Sequence, residues 1–491
     1  MQKLIPASLD HLPANVAGPT YERSALTVGI VHFGVGGFHR AHQAMYLDRL
    51  MAEGKAYDWA ICGVGVLPAD AEMKRVMDEQ SCLYTLILKH SDGRREPRVI
   101  GSIVEYLFAP DSPEAVIEKM ASEQVRIVSL TVTEGGYNFN QVTGEFDKST
   151  AEIVQDLQAG AVPKTVFGLV TEALARRRAR GLKPFTVMSC DNIQGNGDVA
   201  RKMFTTFAKL KDLDLGRWME GAVHFPNSMV DRITPATTAE DRNMVAEDFG
   251  IEDLWPVVCE PFTQWVLEDD FPLGRPEYED AGVQVVHDVE PFELMKLRLL
   301  NASHQGFCYF GMLAGYTYAH ELFNQPEFAQ FLLAYMNKEA TPTLKPVPGV
   351  DLDDYKNTLI ERFSNEYIRD TLTRIGTDGS DRIPKFLLPV VHENLEAGRE
   401  IGLSAAIVAS WAKYCEGVDE NGNPLTITDR AKDERITSAR RQAEDPLAFI
   451  RNEELFGLLA EDQRFVEAYL TAAQSLREHG AVATIASLAQ N

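Results

Sequence analysis

The chain has 491 residues, 45% of them apolar, enough for two or three domains with sizeable cores. A formal net charge of −24 argues against nucleic acid or an anionic membrane surface as a partner, since both would repel it. Six scattered cysteines without a CxxC pair, an opening segment without a secretory apolar core and the lack of a long apolar run together predict a cytoplasmic protein with free thiols and no membrane span.

Residues 1–285 carry a βαβ rhythm and predict a Rossmann-type α/β domain with a mainly parallel sheet; residues 286–491 predict a mostly α-helical domain. The first strand is expected over Thr27–Phe33, followed by a helix from about Phe38 to Met51. Between them, Gly34-Val35-Gly36 begins a G-x-G-x-x-G turn, with Gly37 and Phe38 following and His39 in place of the third glycine. Gly34 suits the tight turn, and Gly36 the bare backbone that a pyrophosphate approaches. A plain turn remains the alternative. His39 and His42, three residues apart, have no acidic or cysteine ligand in sequence with them, so a polar helix face is expected rather than a metal site.

A second strand over Trp59–Val64 leads to Asp70, placed to hold the ribose diol of NAD and to oppose the extra phosphate of NADP, or else an ordinary loop aspartate. Near 83–103, two extended runs flank Asp92-Gly93 and predict an inserted hairpin. Strand Ile127–Val132 delivers Thr133, Glu134, Gly135 and Gly136 to the carboxyl edge of the sheet, and Phe185–Ser189 delivers Asp191 and Asn192. The segment 165–181 predicts a helix stopped by Gly181, and Gln284–His287 a last strand.

Five segments after Pro291 have helical length and apolar spacing. The first, FELMKLRLLNASHQGFCYFGMLAGY, sets Lys296, His304 and Asn301 within an arc of roughly 140° on an α-helix. They share one face. A lysine snorkelling to solvent beside a hydrogen-bonded core histidine gives the same pattern.

GVGGFHRAHQ, TVTEGGY, MSCDN, FPNSMVDRITP, VCEPFTQWVLED and MKLRLLNASHQ, in that order, resemble the signatures of the polyol-specific long-chain dehydrogenases, and DGSDRIPKF and GVDENG extend the likeness toward the C-terminus. In that family the glycine turn itself reads G-x-G-G-F-H-R. The resemblance implies NAD-dependent, metal-free interconversion of a polyol and a ketose, D-mannitol and D-fructose in the closest members. It makes Lys296 the general base, Asn192 and Asn301 the oxyanion-stabilising pair, His304 a substrate-positioning group and Glu293 a carboxylate for proton passage. Asp231, Arg374 and Arg382 fall at substrate positions, Arg382 where close relatives carry lysine. A lysine in an apolar pocket has its ammonium form disfavoured, which suits a base, and two carboxamides supply the donors a metal would otherwise replace. The resemblance also allows arabinitol or, through Arg374 and Arg382, a uronate as substrate; a non-catalytic NAD or sugar sensor is the alternative of another class. Some of the family are monomers, and the acidic surface predicts one here.

Overall fold

The computed structural model describes residues 2–140 and 144–490. The chain forms two compact units, Met1–Val289 and Glu290–Asn491.

Besides a short parallel pair, Gln2–Lys3 with Ile251–Glu252, the strands of the first unit are β1 Val28–Phe33, β2 Ala60–Gly65, β3 Tyr84–Lys89, β4 Arg95–Ile100, β5 Ile103–Phe108, β6 Ile127–Leu130, β7 Thr186–Ser189, β8 Ser228–Asp231, β9 Val257–Cys259, β10 Gln264–Glu268 and β11 Gln284–Val286. Five of them make an all-parallel sheet in the order β5-β2-β1-β6-β7. Counted along the sheet's own strands this is 3-2-1-4-5, the Rossmann order, and the chain reverses direction across the sheet between β1 and β6. Helices cover both faces, so alternate residues of one strand enter different cores: Ile30 packs with Met45, Tyr46 and Leu47, whereas Val31 and Phe33 pack with Val64, Val128 and Leu130.

β3 and β4 form an antiparallel hairpin, extended by β9 alongside β3. β11 departs from expectation. It pairs with β10 in a separate three-stranded sheet that β8 completes, rather than extending the parallel sheet. The helix Val166–Ala179 starts on the Thr165 hydroxyl, which accepts from Gly168 N at 3.1 Å, and ends just before Gly181 at φ 70°.

The expected helix over 38–51 is broken in two, Gly37–Ala41 and Gln43–Ala52, at His42 (φ −125°, ψ −99°). The His42 ring lies among Phe38, Tyr46 and Trp265, with centroids 4.8–5.3 Å away, and this packing takes the place of helical geometry at one residue.

The second unit is helical. Glu290–Met295 runs into a π-helical turn, Lys296–Asn301, and then into Ala302–Leu313, a helix buried on nearly every side that packs against Gly402–Tyr414. Gly402–Tyr414 in turn packs on Gln463–Gln490. Two more π-turns, Met336–Ala340 and Ile383–Leu387, pack against Lys296–Asn301. Among the described residues no helix is long and apolar enough to cross a membrane, and all six cysteines are buried and unpaired.

Candidate active site

The glycine turn stands at the carboxyl end of β1. Gly34 has φ +92°, and a Cβ there would lie 2.0 Å from the Thr131 carbonyl oxygen, so no other residue fits. The Thr131 hydroxyl donates to Gly34 O at 2.7 Å, tying the turn to the end of β6. Gly36 differs: a Cβ there would meet only Gly34 O, at 4.0 Å, on an exposed surface. The turn is thus a fixed backbone with one bare, open face, a cradle that suits a dinucleotide pyrophosphate.

His39 replaces the third glycine by packing. Its ring stacks on His32 of β1, centroids 3.4 Å apart and planes 13° from parallel. His32 is bonded to Ser129 Oγ (2.7 Å) and Thr131 Oγ1 (2.9 Å). Burial pushes the His32 imidazole down to about 3 and that of His39 well below its ordinary range, so both are neutral. The expected polar face is corrected: His39 and His42 are buried packing residues. Among the described residues no three His, Cys, Asp or Glu side chains gather as a metal site.

Asp70 lies in the turn after β2, where its Oδ2 accepts from Val66 N (2.8 Å) and Leu67 N (2.9 Å). This holds the carboxylate beside the strand end. After β6, Thr133 adopts φ +65°, ψ 169°, a conformation that costs a β-branched residue on the order of 1–3 kcal/mol. Glu134 and Gly135 follow in the short 3-10 turn Glu134–Tyr137, and Gly135 is exposed with open space around it.

Asp191 supplies the restraint that sustains Thr133. Its carboxylate accepts from Val132 N (3.1 Å), Thr133 N (2.8 Å) and the Tyr137 hydroxyl (2.8 Å). Asp191 is therefore a brace beneath the turn, a role that only its place at a strand end signalled in the sequence. Asn192, next to it, is exposed. Asp231 ends β8 and is buried, paired in register with Gln264. Its neighbours serve the fold. Asn227 Oδ1 caps the helix Asn196–Lys211 through Gly197 N and Asp198 N, and Arg232 donates to the carbonyls of Ala41 and Glu260.

Burial raises the Asp191 carboxyl from its ordinary 3.8 to about 6, against the lowering effect of its three donors. Folding therefore takes up a proton between these values, and the residue's contribution to stability improves as pH falls through about 6. Asp191→Asn removes this dependence. The Tm of the parent relative to the variant is expected to climb as pH is lowered from about 7 to about 5; a constant difference in thermal melts would contradict it.

In the second unit, Lys296 and Asn301 open and close the π-turn and are only 6% and 7% exposed. A π-turn bonds each carbonyl to the amide five residues on, and here Ala302 N reaches Leu297 O. Residues 296 and 301 therefore stack on one side, closer in angle than the α-helical arc expected from the sequence. Glu293 is buried one turn before Lys296.

Asn301 Oδ1 and His304 Nε2 are both sealed from solvent without a hydrogen-bond partner. An orphan of this kind costs about 1–3 kcal/mol. The His304 ring lies 5.1 Å from Phe363 and 5.7 Å from Phe307. Burial, then the charges of Arg374, Arg362, Arg382 and Lys296, push its imidazole well below the ordinary range and keep it neutral. Arg374 and Arg382 thus share the surroundings of His304. Both are already engaged: Arg374 Nε with Asp370 Oδ1 at 2.5 Å, and Arg382 Nη1 with the Ile375 carbonyl at 2.6 Å.

A parallel sheet in Rossmann order with a fixed glycine turn, joined in sequence to a helical unit, is the architecture of a two-domain nucleotide-dependent dehydrogenase. Residues 28–280 match the mannitol dehydrogenase Rossmann domain and residues 288–477 the mannitol dehydrogenase C-terminal domain. The chain belongs to the mannitol dehydrogenase family. Mannitol 2-dehydrogenase of Pyrenophora tritici-repentis is 48% identical over 476 residues, 96% of this chain and 83% of that protein. Its counterpart in Neosartorya fischeri is 46% identical over 474 residues, 95% and 94% of the two chains. Among solved structures, the Pseudomonas fluorescens mannitol 2-dehydrogenase ternary complex with NAD and D-mannitol matches with a TM-score of 0.90 at 46% identity over 100% of both chains. A substrate-free D-sorbitol dehydrogenase matches with a TM-score of 0.91 at 40% identity, covering 98% of this chain and 100% of that one.

Proposed function

We propose that the protein is an NAD-dependent, metal-independent mannitol 2-dehydrogenase interconverting D-mannitol and D-fructose. The observation that carries the reading is the π-turn, which puts Lys296 and Asn301 on one buried side, one turn from the unsatisfied ring nitrogen of His304. Gly34, Gly36, Gly37 and Phe38 hold the pyrophosphate of NAD, and Thr133, Glu134 and Gly135 border it. Asp70 selects NAD over NADP through the ribose diol, supported by the backbone bonds that keep its charge beside the strand end.

NAD bound at this turn would supply the hydride acceptor for the carbinol carbon. Lys296, as the general base, takes the hydroxyl proton at Nζ, and Glu293 passes it toward solvent. Asn192 and Asn301 donate to the alkoxide-like oxygen, doing without a metal. His304, held neutral, meets a substrate hydroxyl through Nε2, and Asp231, Arg374 and Arg382 bind the rest of the polyol. A monomer in a reducing cytoplasm is supported by the charge of −24 and by six buried, unpaired thiols.

Purified protein given NAD and D-mannitol, and separately NADH and D-fructose, should show the NADH absorbance band appear and disappear, unchanged by a chelator. Activity confined to D-arabinitol, fructuronate or tagaturonate would transfer the assignment to a sister enzyme. Silence on all of them would make the chain a sensor, and chelator inhibition reversed by zinc would end the metal-free mechanism.

A further inference from the structure

On an α-helix the Ala302 amide would bond the carbonyl of Arg298, four residues back. Here it reaches Leu297 instead, and the fully buried phenol of Tyr335 donates to Arg298 O at 3.1 Å. The Arg298 side chain is fixed as well. Its Nη2 meets Glu393 Oε1 at 2.6 Å, and its Nη1 meets Glu393 Oε2 at 3.0 Å and the Thr343 carbonyl at 2.6 Å. Tyr335 also immediately precedes the second π-turn, Met336–Ala340, which packs on the first.

We propose that Tyr335 is a positioning residue: by occupying the Arg298 carbonyl, its hydroxyl holds Lys296–Asn301 in the five-residue register that aligns the Lys296 amine with the Asn301 carboxamide. Without the hydroxyl, the Arg298 carbonyl loses that donor and the five-residue turn is held less firmly. The Lys296 amine and the Asn301 carboxamide are then aligned for a smaller share of the time, while Ala302–Leu313 stays packed in its phase. The ring of Tyr335 fills the core whether or not it carries the hydroxyl, so the effect belongs to one oxygen. The proposal rests on Lys296 as the base.

Tyr335→Phe tests it. The variant is expected to keep its KM for polyol and for NAD, to lose about tenfold in kcat through misalignment, and to displace the pH profile of kcat. Hydrogen exchange of the amides at 296–302 should quicken. Lower kcat together with faster exchange supports the proposal. An unchanged kcat and pH profile per folded molecule, or unchanged exchange at 296–302, overturns it, even if Tm falls. Failure of the base reading shows separately, as retained turnover in Lys296→Ala. Should Tyr335→Phe not fold, Glu393→Gln releases the other end of the Arg298 clamp and is judged by the same two readouts.

Discussion

Lys296→Ala is expected to lower kcat for polyol oxidation by about 10²–10⁴-fold, the range associated with loss of a general base, while binding NAD as the parent does. The cofactor turn is built wholly from the first unit, by Gly34, Thr131 and His39 on His32, and none of these contacts involves residue 296. Calorimetric NAD titration alongside steady-state rates checks both halves. A variant that keeps most of its turnover would remove Lys296 from the base role. Asn301→Ala should cost on the order of 3 kcal/mol in the barrier, because it removes one prearranged donor and leaves the amine in place.

Two glycines two residues apart should fail in different ways. Gly34→Ala is expected to destabilise the first unit by about 1–3 kcal/mol for the left-handed backbone and by about as much again for forcing a methyl group into the end of β6. The Thr131 oxygen, 2.0 Å from the new Cβ, is backbone and has nowhere to go. Gly36→Ala should fold normally, since its φ of −85° is ordinary and its side is open, yet bind NAD poorly because the methyl group occupies the approach to the turn. Thermal melts and NAD titrations on the pair separate the two effects. Equal stability in both variants would show that the clash at Gly34 relaxes freely.

What was legible followed from burial. β1, β2, β6 and β7 lie inside a sheet covered on both faces and read as continuous apolar runs. β5 carries Glu105 in its middle, and β8 reads as a polar cluster, SMVD, so neither announced itself as a strand. β11 was visible as a strand, but three residues do not reveal which sheet they join. The break at His42 depends on Trp265, more than two hundred residues away in the chain, which local periodicity does not sense. Likewise an apolar spacing of 3.6 residues does not distinguish an α-turn from a single π-turn, so the angle between Lys296 and Asn301 had to come from coordinates. The roles of Lys296, Asn192 and His304 came from family likeness; the residues alone allowed a snorkelling lysine and a core histidine.

The five-residue turn at 296–301 also fixes the phase of everything after it. One residue more or fewer there rotates Ala302–Leu313 by about 100°, and would swing Gly306 away from Leu332 and Ile407, which a Cβ at that position would meet at 3.0 and 3.3 Å. The most deeply packed helix of the second unit is therefore clocked by the segment that carries the chemistry. Thermostabilising changes along it will trade against turnover.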